Sequence, residues 1–371
     1  MNYRQAIGYA GGYASDVRAY LPEEYGSSVF RIIPLVFQWL YEPGGTVLGI
    51  AFFMSAVTCG VIVVVRIFVG FLLRREGIEE KSRMVPVMSA ASIFAMSVYL
   101  PKIHEYFYIG AWSGFPWHNP PYQLMVCFSL LSLLFFFKLY DRYPVESSRN
   151  MWPAFVAFAL AVFVSVGAKP SFVFGFFPLM AILLLRRMIK KHESVPFSRR
   201  FARAVPFGVA LLPSVAYLIY FYFADAAETA SGGIAINFAY LYKMAGDPVL
   251  KPILGLAFPL WILCFHVKKL RTNIIYVMAW LMFAVNLAIY LLFVEAGERF
   301  LHGNFGWGLL FSVFFLFVAG ISLYAEDWIS VKKIGANTQK KICLGVGGLL
   351  FAAHLISGLV FFSYAVGGKG Y

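Results

Sequence analysis

Asp16 stands in the run Ser15-Asp-Val-Arg-Ala-Tyr20, ahead of the first long apolar stretch. A carboxylate there suits chemistry in which a sugar or lipid hydroxyl must lose a proton. It equally suits the N-cap of a helix starting at Val17. Lys169 lies between two apolar runs, at a break closed by Pro170 and Ser171. A lysine left in hydrocarbon costs on the order of a few kcal/mol. Lys169 therefore either snorkels to the interface or meets an anion, and a helix starting at Ser171 turns its positive end to the same place. Arg299, His302 and Asn304 form a second cationic cluster, in which Glu298 can also pair locally with Arg299. Two separated cations and a helix N-terminus suit the phosphate or diphosphate of a lipid head group.

A third group sits in Phe115-Pro-Trp-His-Asn-Pro-Pro121 and, upstream, at His104-Glu105. Trp117, His118 and Asn119 suit contact with a sugar, Trp117 by stacking on it and Asn119 by bonds to its hydroxyls. The prolines also read as the start of a helix near 121, where proline is favoured. The aromatic residues around them equally suit an interfacial belt. His104, Glu105 and His118 lack the spacing of a metal site, so no cofactor is required, and a divalent metal is left open. Cys59, Cys127, Cys264 and Cys343 fall in or beside apolar runs without CxxC spacing, so neither a disulfide framework nor a zinc site is expected.

These residues must be positioned by a membrane scaffold. Of 371 residues, 61% are hydrophobic and only 13% charged, against about 25% in a soluble domain. Apolar windows long enough to cross a bilayer recur along the chain. The expected fold is all-α: a polytopic transmembrane bundle forming one domain over 1–371. Ten spans are expected at about 46–73, 84–100, 121–139, 151–167, 171–186, 204–224, 252–267, 274–295, 305–325 and 343–365. An arm at 1–45 carries a short interfacial helix near 28–41, and a tail follows at 366–371. The pair 151–167 and 171–186 is either a tight hairpin or one broken helix. Arg66 and Asn286, inside spans, suit polar contacts facing the bundle.

The net charge of +13 is that of a membrane protein with basic loops, not of a nucleic-acid binder. Alternate loops at 74–83, 138–150, 186–204, 268–273 and 326–342 hold 21 of the 31 Lys and Arg, and the other segments hold 9. The richer set is expected on the cytoplasmic side. Asp16, Lys169, Arg299 and the 115–121 stretch then share the extracytoplasmic face. Both termini fall outside as well, so a helix upstream of the arm is expected.

With these residues in place, the chain resembles the GT-C class of integral-membrane glycosyltransferases. The likeness rests on the many helices, the acidic Asp16 in the first outer loop, short outer loops rich in aromatics and His, and basic residues on the outer face. Only Asp16 maps onto the class motif by position. The resemblance implies a polyprenyl-phosphate sugar as donor, a glycan or lipid acceptor, and work at the outer face of a bacterial plasma (inner) membrane, with Asp16 as general base. Lys169, Arg299 and His302 are expected at the donor phosphate. Trp117, His118, Asn119, His104, Glu105 and Asn304 are expected at the substrates. The chain departs from the class in having no Asp-X-Asp or Glu-X-Asp pair and no outer domain after the last span. A transporter or flippase of a lipid-linked sugar, an envelope polysaccharide polymerase and an acyltransferase remain as alternatives.

Overall fold

The computed structural model describes residues 43–78, 83–100, 112–114, 120–190, 195–228, 234–237, 249–295, 305–334 and 338–366. The helices in chain order are α1 (Pro43–Arg75), α2 (Met84–Ser92), α3 (Pro120–Arg142), α4 (Trp152–Ala168), α5 (Ser171–Ile189) and α6 (Phe197–Glu228). After the short strand β1 (Ile234–Ile236) come α7 (Leu250–His266), the single turn α8 (Lys269–Thr272) and α9 (Ile274–Leu292). Strand β2 (Phe293–Glu295), α10 (Gly306–Ile334) and α11 (Thr338–Val366) complete the order.

Among the described residues, eight helices are long and apolar enough to cross a membrane: α1, α3, α4, α5, α6, α9, α10 and α11. α7 is apolar but shorter, at 17 residues. The centre of the bundle is α10, whose apolar stretch is wholly buried and which packs against α1, α2, α3, α5, α7, α9 and α11. A helix hydrophobic all round belongs in such a place. α6, at the other extreme, turns Val205, Val209, Leu212 and Ile219 outward, and α11 does the same with Leu349 and Ile356. An apolar exterior of this kind fits a hydrocarbon solvent rather than water.

The connection at Lys169 is a hairpin. The rings of Phe158 and Phe176 lie 6.2 Å apart, whereas eighteen residues of continuous helix would separate them by about 27 Å. Lys169 takes an extended conformation (φ −157°, ψ 126°) and ends α4, and α5 restarts at Ser171. Phe136, Phe155, Phe158, Phe172, Phe176 and Phe207 form the aromatic layer between α3, α4, α5 and α6.

One expectation needs correction. The stretch 84–100 is not a spanning helix: α2 stops at Ser92, and Ala95–Leu100 are non-helical. Buried backbone outside a helix must find partners, and here neighbouring helices supply them. Met96 N donates to His354 O (3.1 Å), Val98 N to Leu254 O (3.2 Å) and Tyr99 N to Ser357 Oγ (3.1 Å). Glycine admits the segment: a Cβ on Gly358 would overlap the Phe94 carbonyl, and one on Gly255 would lie 3.0 Å from Ser97 Oγ. Two three-residue strands join this mostly helical, all-α bundle. The expected span 274–295 ends as helix at Leu292, because Leu292 O accepts from Asn237 N (3.1 Å). Residues 293–295 then pair antiparallel with β1, Ala235 opposite Val294. The expected interfacial helix near 28–41 lies outside the described residues.

Candidate functional site

The basic loops and Lys169 lie at opposite ends of the bundle. At the basic end, Arg75 closing α1 pairs with Asp141 on α3 (2.8 Å). Arg187 closing α5 donates to Tyr140 O (2.5 Å). The Lys269 amine bridges Glu76 Oε2 (2.6 Å) and Glu326 Oε1 (3.1 Å). Burial disfavours its charge, but the hydrogen bonds and charges of Glu76 and Glu326 outweigh that, and its pKa is raised above the usual lysine value. The segment after α3 is held by Tyr143 OH donating to Arg200 O (3.1 Å) and by Arg203 donating to Val145 O (2.6 Å).

At the other end, the first turns of three helices meet around one cation. The Lys169 ammonium lies 4.1 Å from the centroid of the Trp307 ring, in the first turn of α10. The Trp307 ring in turn lies 5.3 Å from that of Tyr122, in the first turn of α3. α5 begins two residues after Lys169. The start of α10 presses so closely on α5 that a Cβ on Gly308 would lie 2.9 Å from Ser171 O and 2.6 Å from Asn286 Oδ1. Beneath this contact Asn286 Nδ2 donates to Ser312 Oγ (2.8 Å), and Ser312 Oγ donates to Gly308 O (2.9 Å). On the other side, Gln123 Nε2 donates to Thr58 Oγ1 (2.5 Å), tying α3 to α1.

Electrostatically this end carries positive charge. Each helix N-terminus carries the equivalent of about half a positive charge. Those of α3, α5 and α10 converge beside a lysine amine. The two prolines that open α3 remove two amide donors, so α5 and α10 offer more hydrogen bonds to an anion than α3. The Lys169 charge rests on an aromatic face, a placement that stabilises a partly desolvated cation.

Of the residues expected at a site, Lys169 is the one within the described residues. Asp16, His104, Glu105, Trp117, His118, Asn119, Arg299, His302 and Asn304 lie outside them. Tyr122 and Trp307 were not singled out from sequence. The available signal was their place in helix-start patterns, Pro120-Pro-Tyr122 and Phe305-Gly-Trp307-Gly308. Asn286 makes the buried interhelical contact expected of it. A second cluster escaped the sequence reading altogether: His266, Asp327 and Cys343 meet at the basic end although they come from three helices. No protein-family model, no curated protein and no solved structure matches the chain.

Proposed function

We propose that this chain is a glycosyltransferase of GT-C type, moving a sugar from a polyprenyl-phosphate donor to a glycan or lipid acceptor on the extracytoplasmic face of a bacterial plasma membrane. The observation that carries this reading is the meeting of Lys169 with the N-termini of α3, α5 and α10, at the end opposite the basic loops. A phosphate entering from the lipid would find a cation and aligned dipoles fixed before it arrives. Preorganised positive charge of this kind stabilises a leaving phosphate as its bond to the sugar breaks.

In this reading Asp16 takes the proton of the acceptor hydroxyl as that oxygen attacks the anomeric carbon. The bond from the anomeric carbon to the phosphate oxygen breaks, and polyprenyl phosphate leaves toward Lys169, Arg299 and His302. A single displacement inverts the anomeric centre. Trp117, His118, Asn119, His104, Glu105 and Asn304 hold the sugar and the acceptor.

The test is full-length protein in proteoliposomes with a labelled polyprenyl-phosphate hexose and a crude envelope lipid and glycan fraction as acceptor. Transfer by the parent protein, lost in Asp16→Asn and Asp16→Ala at unchanged expression, supports the reading. Equal transfer by both variants sinks the role of Asp16, and donor left intact by the parent protein sinks the reading itself.

One observation favours a second reading, a transporter or flippase of a lipid-linked sugar. α2 ends at Ser92 and the chain continues as non-helical backbone bonded to α7 and α11, and broken helices mark many transporter binding sites. Movement of a fluorescent lipid-linked sugar between leaflets, with the sugar still attached, would favour it over transfer.

A further inference from the structure

Three donor side chains of different chemistry meet at the basic end. His266 is the last residue of α7, Asp327 lies in the last third of α10, and Cys343 lies in the second turn of α11. His266 Nε2 is 2.9 Å from Asp327 Oδ2, and Cys343 Sγ is 3.9 Å from the same oxygen. The three donor atoms all lie within 4.8 Å of one another. Asp327 and Cys343 are buried and His266 is half-buried.

We propose that His266, Asp327 and Cys343 bind a divalent metal ion of borderline softness, zinc being the type, which clips α7, α10 and α11 together. The site lies at the opposite end from Lys169 and is independent of the proposed transfer reaction. Imidazole, carboxylate and thiolate are the three ligand types zinc uses, at about 2.0–2.1, 2.0–2.2 and 2.3 Å. A tetrahedral ion with such bonds spaces its ligand atoms about 3.3–3.6 Å apart. The observed 2.9 and 3.9 Å bracket that spacing, so small side-chain rotations bring the donors onto one ion. Three protein ligands leave the fourth position to solvent. On coordination the Cys343 thiol gives its proton to solvent.

The backbone around the donors is held without the ion. Trp261 Nε1 on α7 donates to Cys343 O (3.2 Å), and Tyr324 OH on α10 donates to Leu344 O (2.9 Å). These bonds fix the level of α11 against both partner helices. The Cys343 thiol makes a long contact to Asp327 (3.9 Å), and a thiol is a weak donor. One group opposes the ion: the Lys340 amine lies 3.8 Å from Asp327 Oδ1 and 3.1 Å from Ser330 Oγ. Its side chain is 41% exposed, so it can swing into water when the metal enters. The thiolate selects against magnesium and calcium, which take oxygen ligands.

The experiment titrates chelator-treated full-length protein in detergent with cobalt(II), then displaces it with zinc. The expected result is one equivalent of cobalt with a thiolate charge-transfer band in the near ultraviolet, bleached by zinc and unaffected by magnesium. Cys343→Ser should abolish the band and weaken zinc binding by more than about 100-fold, beyond the cost of an outer-shell change. A variant with Cys59, Cys127 and Cys264 all changed to Ser should keep the band. Lys340→Met should bind zinc more tightly than the parent protein. Should Cys343→Ser fail to fold, the triple variant decides by itself: a retained band supports the site and a lost band overturns it. No band in the parent protein, or an equal band in folded Cys343→Ser, likewise overturns it.

Discussion

His354 Nδ1 lies 2.6 Å from the carbonyl oxygen of Met96, a residue 258 positions away in the chain. On the other side of the ring, Nε2 accepts from Phe258 N at 3.3 Å. A carbonyl only accepts and an amide N–H only donates, so the two bonds together require a neutral imidazole with its proton on Nδ1. One buried side chain thus joins α11, α7 and the non-helical segment after α2. Pro259, which has no amide hydrogen, follows the residue whose N–H is turned toward the ring. The broken helix is held in place by specific polar bonds as well as by apolar contact.

His354→Phe should therefore destabilise the fold while keeping the edge-to-face ring contact with Phe317 (4.8 Å between centroids). It leaves Met96 O and Phe258 N without this partner, and an unsatisfied buried polar group costs about 1–3 kcal/mol. A loss of about 2–4 kcal/mol is expected, read as a lower Tm of detergent-solubilised protein. An unchanged Tm would mean that the bonds through His354 contribute nothing to holding the segment.

Asn286 and Gly308 should be coupled. Gly308→Ala places a methyl 2.6 Å from Asn286 Oδ1, and overpacking of this sort costs about 1–3 kcal/mol. Asn286→Ala alone loses the bond to Ser312, worth about 0.6–2 kcal/mol between membrane helices. Part of the clash disappears in the double variant, so its loss should be smaller than the two single losses added. Ser171 O remains 2.9 Å from the new methyl, so rescue is partial. Strict additivity in thermal melts would mean that the two residues do not touch.

The helical bundle was legible because it is written in composition and run length. Span starts at 121 and 171 came through because proline and the Lys169-Pro-Ser break mark them, and the start at 274 is fixed in the fold by Asn273. Asn273 Oδ1 accepts from Ile275 N (3.1 Å) and Tyr276 N (3.0 Å). The break after Ser92 was not legible. The run Ile93-Phe-Ala-Met-Ser-Val98 is apolar enough for a helix, and its partners, Leu254, His354 and Ser357, are more than 150 residues away. The His266, Asp327 and Cys343 cluster was invisible for the same reason: residues on three helices have no spacing to read. Lys169 stands out in the sequence because a charge between apolar runs is costly wherever it lies. Its seat on Trp307 depended on which helix starts were neighbours.

Stability should depend on Lys269 in a pH-specific way. Its amine bridges α1 and α10 through Glu76 and Glu326, and its pKa is raised in the fold. A raised lysine contributes stability in full below its unfolded value, near 10.5, and loses it as pH rises through the folded value. Lys269→Met should lower Tm by a similar amount from neutral pH up to the unfolded value, and the gap to the parent protein should shrink above it and close past the folded value. A gap that already closes near neutral pH would contradict the bridge.

Lys169 gives the sharpest test of the anion site, because two substitutions separate charge from shape. Lys169→Met keeps an apolar stem against the Trp307 ring but removes the charge. Lys169→Arg keeps the charge and can still lie over the ring. A hydrogen bond to a charged group contributes about 1.5–3 kcal/mol, or about 10–100-fold in affinity. If Lys169 meets the donor phosphate, Lys169→Met should raise the KM for a polyprenyl-phosphate sugar by about that factor, and Lys169→Arg should recover most of it. Added inorganic phosphate should compete in the parent protein and far less in Lys169→Met. If Lys169 only steadies Trp307, the effects should fall on Tm instead. Trp307→Leu should then match Lys169→Met in stability, with donor affinity unchanged in both. Equal KM and equal Tm in Lys169→Met and the parent protein would exclude both roles.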